Sequence, residues 1–308
     1  MSTVESHLSS PTVPANEHRS IALRLADYWE LSKPRIAAMA LITVSVGFLM
    51  ADPRGDVLVT LFHALFGISM VAGSCGALNQ YLERDVDRLM LRTANRPVPA
   101  GRVSPTEALM FGAGLGAAGI GYLSWFVNGP TAILSAATLF LYVLVYTPLK
   151  RMSSWCTIIG AIPGAMPPVL GWAAAGGGPI VMPIALFGVL YFWQFPHLLA
   201  IAWMYRQQYA KAGFHMLPGQ IPRSPITGLL AIAGALPLIP ISLLPWQAGL
   251  AGNGYAAAAM ILGGGYLLCS VVFCWKETHQ SARRLLWSSL LYLPLLVAIL
   301  TFEHIQLP

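Results

Sequence analysis

Asn79, Glu83 and Asp87 recur at intervals of four in the run Asn79-Gln80-Tyr81-Leu82-Glu83-Arg84-Asp85-Val86-Asp87. On an α-helix four residues turn through about 400°, so successive members of the series are offset by only about 40° and share one face. One amide oxygen and two carboxylates on a common stripe make a hard-oxygen site. Mg2+ is commonly held by one or two carboxylates, with water and substrate phosphate completing its shell. Asp85 lies off the stripe and is a candidate for a second ion or for pairing with Arg88. A plainer reading is a solvated helix end whose acids pair with Arg84, Arg88 and Arg92, and residue types alone do not separate the two.

The next stretch, Arg92-Thr93-Ala94-Asn95-Arg96-Pro97-Val98-Pro99-Ala100-Gly101, places two guanidinium groups in a loop stiffened by proline. Guanidinium binds phosphate oxygens as a fork. A metal stripe followed by such a loop suggests a metal–diphosphate site; the alternative is positive charge marking a cytoplasmic loop.

The elements that must position these groups are membrane helices. Of the 308 residues, 56% are hydrophobic and only 10% charged. An ordinary soluble domain is about 25% charged, and a chain this apolar is neither disordered nor a disulfide scaffold. Apolar stretches at 34–51, 57–79, 106–127, 130–149, 154–174, 178–202, 225–247, 253–275 and 285–302 predict nine transmembrane helices, an all-α polytopic fold. They do not alternate as barrel strands would. Of the 18 Lys and Arg residues, all but Arg54 fall in the N-terminal segment or in loops two, four, six and eight. The positive-inside rule puts those segments in the cytoplasm and the C-terminus outside, in a plasma (inner) membrane. The net charge of +6 is therefore a topology signal, with no nucleic-acid partner implied. Residues 1–25 are expected to be a flexible cytoplasmic tail without a signal peptide, and 26–308 a transmembrane domain.

Asn79, Glu83 and Asp87, followed by Arg92-Thr93 and Asn95-Arg96-Pro97, resemble the first aspartate-rich motif of the UbiA superfamily of intramembrane prenyltransferases. Further blocks resemble its haem-farnesylating branch, the protohaem IX farnesyltransferases (haem O synthases). These are Leu31-Ser32-Lys33-Pro34-Arg35-Ile36, Tyr146-Thr147-Pro148-Leu149-Lys150-Arg151, Ile159 to Trp172, Trp193-Gln194-Phe195-Pro196-His197 and Tyr209-Ala210-Lys211-Ala212-Gly213. The blocks span about residues 28–218 in order, and the last third matches in hydropathy only. The resemblance implies transfer of a farnesyl group from farnesyl diphosphate to a vinyl group of haem B. It implies Mg2+ as cofactor and membrane residence, and a product destined for terminal oxidase assembly. Residue by residue, Asn79, Glu83 and Asp87 would be catalytic and, with Asp85, metal-binding. Arg92, Arg96, Lys150 and Arg151, with Lys33 and Arg35, would bind diphosphate. His197 and Gln208 are candidates for the acceptor. One departure stands out. The family's second polar motif carries a carboxylate where this chain has Gln208, and Trp203 to Arg223 contains no acid, which leaves the number of Mg2+ ions open. His215 also stands where the pattern has proline. Alternatives are a related prenyltransferase with another ring acceptor, or a transporter of an anionic metabolite. The chain shows no internal repeat with paired broken helices of the kind transporters carry.

Other residues have structural readings. His197 is either a haem contact or a hydrogen-bonded bundle histidine, and His63 is expected to pack. Pro163, Pro167 and Pro168 should bend the fifth span. Gly160, Gly164, Gly171 and the run Gly263-Gly264-Gly265 should allow helices to approach, and Trp155, Trp172, Trp246 and Trp275 should sit at the membrane interface. Cys75, Cys156, Cys269 and Cys274 form no CxxC pair.

Overall fold

The computed structural model describes residues 20–153, 155–211 and 225–306. The tail to residue 19, Ser154 and the loop stretch carrying His215 lie outside the described residues. Among the described residues every regular element is helical. Among the described residues eight helices are long and apolar enough to cross a membrane, and one bent pair passes the same test only when its two helices are counted together. That pair is α1 (Ile21–Leu31) and α2 (Pro34–Leu49), inclined by 52°.

The long helix α3 (Val57–Asp87) starts where the Asp56 carboxylate accepts from Val59 N at 3.4 Å. It has 31 residues, or about 46 Å at 1.5 Å per residue, against about 30 Å of hydrocarbon. The helix is therefore about three turns longer than an upright crossing needs, and its polar residues lie at the C-terminal end. The polar stretch after residue 79, expected to leave the span, continues the same helix to Asp87. Helix α4 (Pro105–Phe126) opens on a full capping box, with Ser104 and Glu107 each satisfying the other's backbone N–H. Asn128 caps α5 (Gly129–Phe140) by accepting from Thr131 N at 2.8 Å.

A six-residue π-helical segment, Leu141–Tyr146, follows and ends in the short α6 (Thr147–Leu149). Pro148 has no N–H to give, so the normal ladder cannot continue through it. The Thr147 hydroxyl and N–H both turn back to the Tyr142 carbonyl instead, the hydroxyl at 2.8 Å. Single wide turns of this kind swing the side chains beyond them out of helical register.

The fifth span is α7 (Cys156–Ala165) and α8 (Pro167–Ala174), interrupted at Met166 as the three prolines predict. Helix α8 lies directly on α2. A Cβ on Gly47 would strike the Pro168 backbone, and one on Gly171 would strike the Val44 carbonyl. Gly160 faces the Tyr146 ring and Gly164 the Gln194 side chain. Of the later glycine run only Gly263 meets a neighbour; Gly264 and Gly265 face open space, contrary to expectation.

Helix α9 (Val181–Met204) is followed by α10 (Arg206–Lys211). The seventh span is broken into α11 (Pro225–Ala235), α12 (Leu238–Ser242) and α13 (Leu244–Gln247), because Pro237, Pro240 and Pro245 each remove a donor. Helices α14 (Asn253–Lys276) and α15 (His279–Gln306) close the bundle, α15 starting earlier than its apolar stretch suggests. They form the largest apolar core together with α9, through Leu186, Val189, Tyr255, Tyr266, Phe273 and Tyr292. Trp155, Trp246 and Trp275 are exposed, whereas Trp172 is partly buried against the bundle with an indole N–H that has no partner among the described residues. His63 packs as expected, 2.6 Å from the Tyr122 hydroxyl.

Candidate diphosphate and metal site

The stripe on α3 is buried: Asn79, Glu83 and Asp87 retain 1%, 5% and 2% of their surface. A buried carboxylate is costly unless paired and hydrogen-bonded. Each acceptor on the stripe meets one cation, and each cation comes from a different segment. Lys33, at the junction of α1 and α2, donates to Asn79 Oδ1. Lys150, immediately after α6, donates to Glu83 Oε1 at 2.9 Å. Arg96, in the loop after α3, donates to Asp87 Oδ2 at 2.8 Å.

Local structure explains how these cations arrive. Lys33 adopts a left-handed backbone conformation, φ 51°, unusual for a residue other than glycine. It turns the chain between α1 and α2 and brings the ammonium over α3. The π-helical segment places Tyr146 and Thr147 beside the stripe. Thr147 Oγ1 accepts from Asn79 Nδ2 at 3.3 Å, and the Lys150 ammonium lies 4.5 Å from the centre of the Tyr146 ring. The loop carrying Arg96 is tied back by Thr93 Oγ1 donating to the Asp87 carbonyl at 2.9 Å and by Arg88 Nε donating to the Pro99 carbonyl at 3.2 Å.

Three cations thus gather around two carboxylates and an amide. Burial, and then the neighbouring charges of Arg96 and Lys150, push the Lys33 ammonium down to about 7, with Glu83 and Asp87 opposing the shift. For Lys150 burial also works against the charge, but Tyr146 and Glu83 outweigh it and hold the ammonium above the ordinary lysine range. Such a cluster is receptive to a polyanion that can take up the donors.

The other predicted residues are placed differently. Asp85 is exposed on the far side of α3, 3.8 Å from Arg84 and 3.9 Å from Arg88. Arg35 and Arg151 are exposed, and among the described residues their side chains make no hydrogen bond or ion pair. Arg92 reaches α10, donating to the Tyr209 hydroxyl at 3.2 Å with its guanidinium 5.5 Å from the centre of the Tyr205 ring. The Gln208 Oε1 atom on α10 is buried and has no hydrogen-bond partner among the described residues. His197 stacks on Trp193 and its Nδ1 is 2.7 Å from Ser289 Oγ, within the α9–α15 contact. Tyr146 and Thr147 lay inside a recognised block but carried no assigned role; the proline after them was the available signal.

A metal fits this set in one way. Among the described residues no three His, Cys, Asp or Glu side chains come together as a metal cluster. Two carboxylates and one amide oxygen leave about half of an octahedral shell to be filled from outside, which is how Mg2+ is held beside substrate phosphates. A separate apolar cavity of about 480 Å³ opens between α7, α9 and α11, lined by Trp155, Tyr191, Phe192, Phe195, Leu199 and Leu230 among others.

Comparison with known proteins identifies the family. Residues 40–293 match the UbiA prenyltransferase family. Relatives named protoheme IX farnesyltransferase include those of Solibacter usitatus, 40% identical over 91% of this chain and 99% of its own length. Another, from Koribacter versatilis, is 41% identical over 96% and 99%. Among solved structures, a digeranylgeranylglyceryl phosphate synthase aligns with a TM-score of 0.79 at 18% identity, over 92% of this chain and all of that one. A UbiA homolog from Archaeoglobus fulgidus bound to DMAPP and Mg2+ aligns at 0.60 and 18%, over 92% of this chain and all of that one. With a match over most of its length and full-length relatives about two-fifths identical, the chain belongs to the UbiA prenyltransferase family.

Proposed function

We propose that this chain transfers the farnesyl group of farnesyl diphosphate to a vinyl group of haem B, giving haem O. The named relatives support the substrates. The observation in the structure that carries the reading is the matched set of three acceptors and three cations at the end of α3.

Asn79, Glu83 and Asp87 would hold Mg2+, which when bound neutralises charge on the diphosphate leaving group. Asp85, facing solvent, would serve only an outer ion. Lys33, Lys150 and Arg96 exchange their protein acceptors for phosphate oxygens. Arg92 approaches from the α10 side, and Arg35 and Arg151 contribute long-range positive charge. As the carbon–oxygen bond of the substrate breaks, negative charge grows on the departing diphosphate, and donors already fixed in a dry site need no reorganisation to receive it. The allylic cation is captured by the terminal vinyl carbon of haem B. Water adds to the adjacent carbon, supplies the hydroxyl and releases a proton. The surrounding apolar helices keep other water away from the cation. With Nδ1 held by Ser289, His197 would offer its second ring nitrogen to haem, and Gln208, whose oxygen has no partner among the described residues, would be the polar group that α10 offers to substrate.

The plasma membrane is the location, with the acidic stripe and the N-terminal segment on the cytoplasmic side and the C-terminus outside; the expected boundary at residue 25 falls inside α1, whose helix begins at Ile21 and is tied down by Arg24. A terminal oxidase under assembly is the consumer of the product. The test is direct: purified protein given haem B, farnesyl diphosphate and Mg2+ yields haem O, and chelation stops it. Replacing Asp87 by Asn lowers turnover about 100-fold, the scale of losing one preorganised electrostatic contact. Unchanged turnover in that variant rules out the metal assignment.

A further inference from the structure

The face of α1 turned away from the bundle is apolar and uncovered. Ile21, Leu25 and Trp29 recur every four residues and are 80%, 65% and 69% exposed, with the exposed Ala22 and Ala26 between them. Leu23, also exposed, is not part of the stripe and lies on the other side of the helix beside Glu30. The opposite face is fastened to the protein. Arg24 pairs with Glu107 at 2.5 Å, Asp27 and Glu30 both pair with Arg102, Tyr28 packs on Phe111 at 5.0 Å, and Leu31 is fully buried. The orientation of the helix is therefore fixed, and its apolar stripe points outward by construction.

We propose that α1 is an interfacial helix that lies along the membrane surface with this stripe seated among lipid headgroups and upper acyl carbons. Three observations choose lipid over a protein partner. The stripe runs on into the lipid-facing surface of α2, where Ile36, Met39 and Ile42 are 68%, 62% and 58% exposed. The 52° bend turns α1 away from the direction of the crossing α2, and an 11-residue helix is too short to span. Arg35, exposed and without a side-chain partner among the described residues, stands at the bend, where a lipid phosphate would meet it. A helix with an apolar face and a charged opposite face seats about 5–10 Å into the headgroup boundary. Helix α1 leads straight into Lys33, so this seat anchors one wall of the site described above. The lipid contact itself does not depend on the reaction proposed for that site.

The test uses the full chain in nanodiscs containing lipids with a nitroxide quencher at carbon 5 or carbon 16 of the acyl chain. An environment-sensitive fluorophore is attached at Leu25→Cys and, in a second variant, at Ile261→Cys, an exposed position near the middle of α14. The unsubstituted chain is labelled in parallel as the blank for its own cysteines. The shallow quencher is expected to act at least twofold more strongly than the deep one at position 25, and the order to reverse at 261. Deep quenching at both positions overturns the proposal in favour of a spanning α1. Quenching at 261 with none at 25 overturns it in favour of solvent or a second copy of the chain covering the stripe.

Discussion

Buried polar groups are handled in two different ways in the two halves of this bundle. Around the end of α3 they are ionic, and each acid meets a cation from another segment: Glu83 with Lys150 and Asp87 with Arg96. Between α9, α12, α14 and α15 they are neutral and donate to backbone carbonyls. The Tyr255 hydroxyl donates to the Ser242 carbonyl at 2.6 Å, Tyr266 to the Trp193 carbonyl at 2.9 Å, and Trp193 Nε1 to the Ser289 carbonyl at 2.8 Å. Neutral bonds of this sort satisfy groups that lipid could not. Buried ion pairs contribute little net stability, because desolvation offsets much of their attraction. Among the described residues the buried carboxylates are Glu83, Asp87 and Asp27; Arg102 holds Asp27 to fix α1, whereas the pairs of Glu83 and Asp87 converge on one stripe, where charge serves chemistry.

Breaking an ion pair should therefore cost both function and fold, whereas breaking a neutral bond should cost fold alone. The largest effect is expected from Lys150→Met. It strands a buried Glu83 and should destabilise by about 3 kcal/mol, with turnover falling at least as far as in Asp87→Asn; thermal unfolding in detergent and haem O formation measure the two. Smaller is Tyr255→Phe, which loses the bond to the Ser242 carbonyl and should cost about 1 kcal/mol while leaving turnover within about twofold, as expected away from functional features. A large loss of turnover there would erase the distinction between the halves. Smallest is Gln208→Asp, which places a carboxylate where the buried Oε1 has no partner among the described residues. Turnover at or above the parent level is expected, and a large loss would show a site tuned to the neutral amide.

Much of the architecture was legible because membrane helices announce themselves by length and hydropathy. The acidic stripe was legible because a spacing of four on a helix needs no tertiary information. What spacing could not supply was the partner of each acid. Lys33 and Lys150 reach α3 across 46 and 67 residues, and the sequence offered Arg35 and Arg151 on equal terms. Near neighbours on a turning backbone project in different directions, and only the left-handed turn at Lys33 and the π-helical segment before Lys150 decide which one faces the site. Hydropathy marked only the apolar part of α3, to residue 79, and the four-residue spacing carried the helix on to Asp87, as the structure has it. The split of the seventh span followed from prolines that hydropathy ignores. Gly264 and Gly265 were misread because a small residue permits close approach without requiring it.

The central claim is that the stripe and its three cations form one metal–diphosphate site. Calorimetric titration of inorganic diphosphate into the parent protein and into Asp87→Asn, each with and without Mg2+, tests it most directly. Binding that requires Mg2+ in the parent and is at least tenfold weaker in the variant is expected. Equal affinity in both proteins, or binding indifferent to Mg2+, would contradict it.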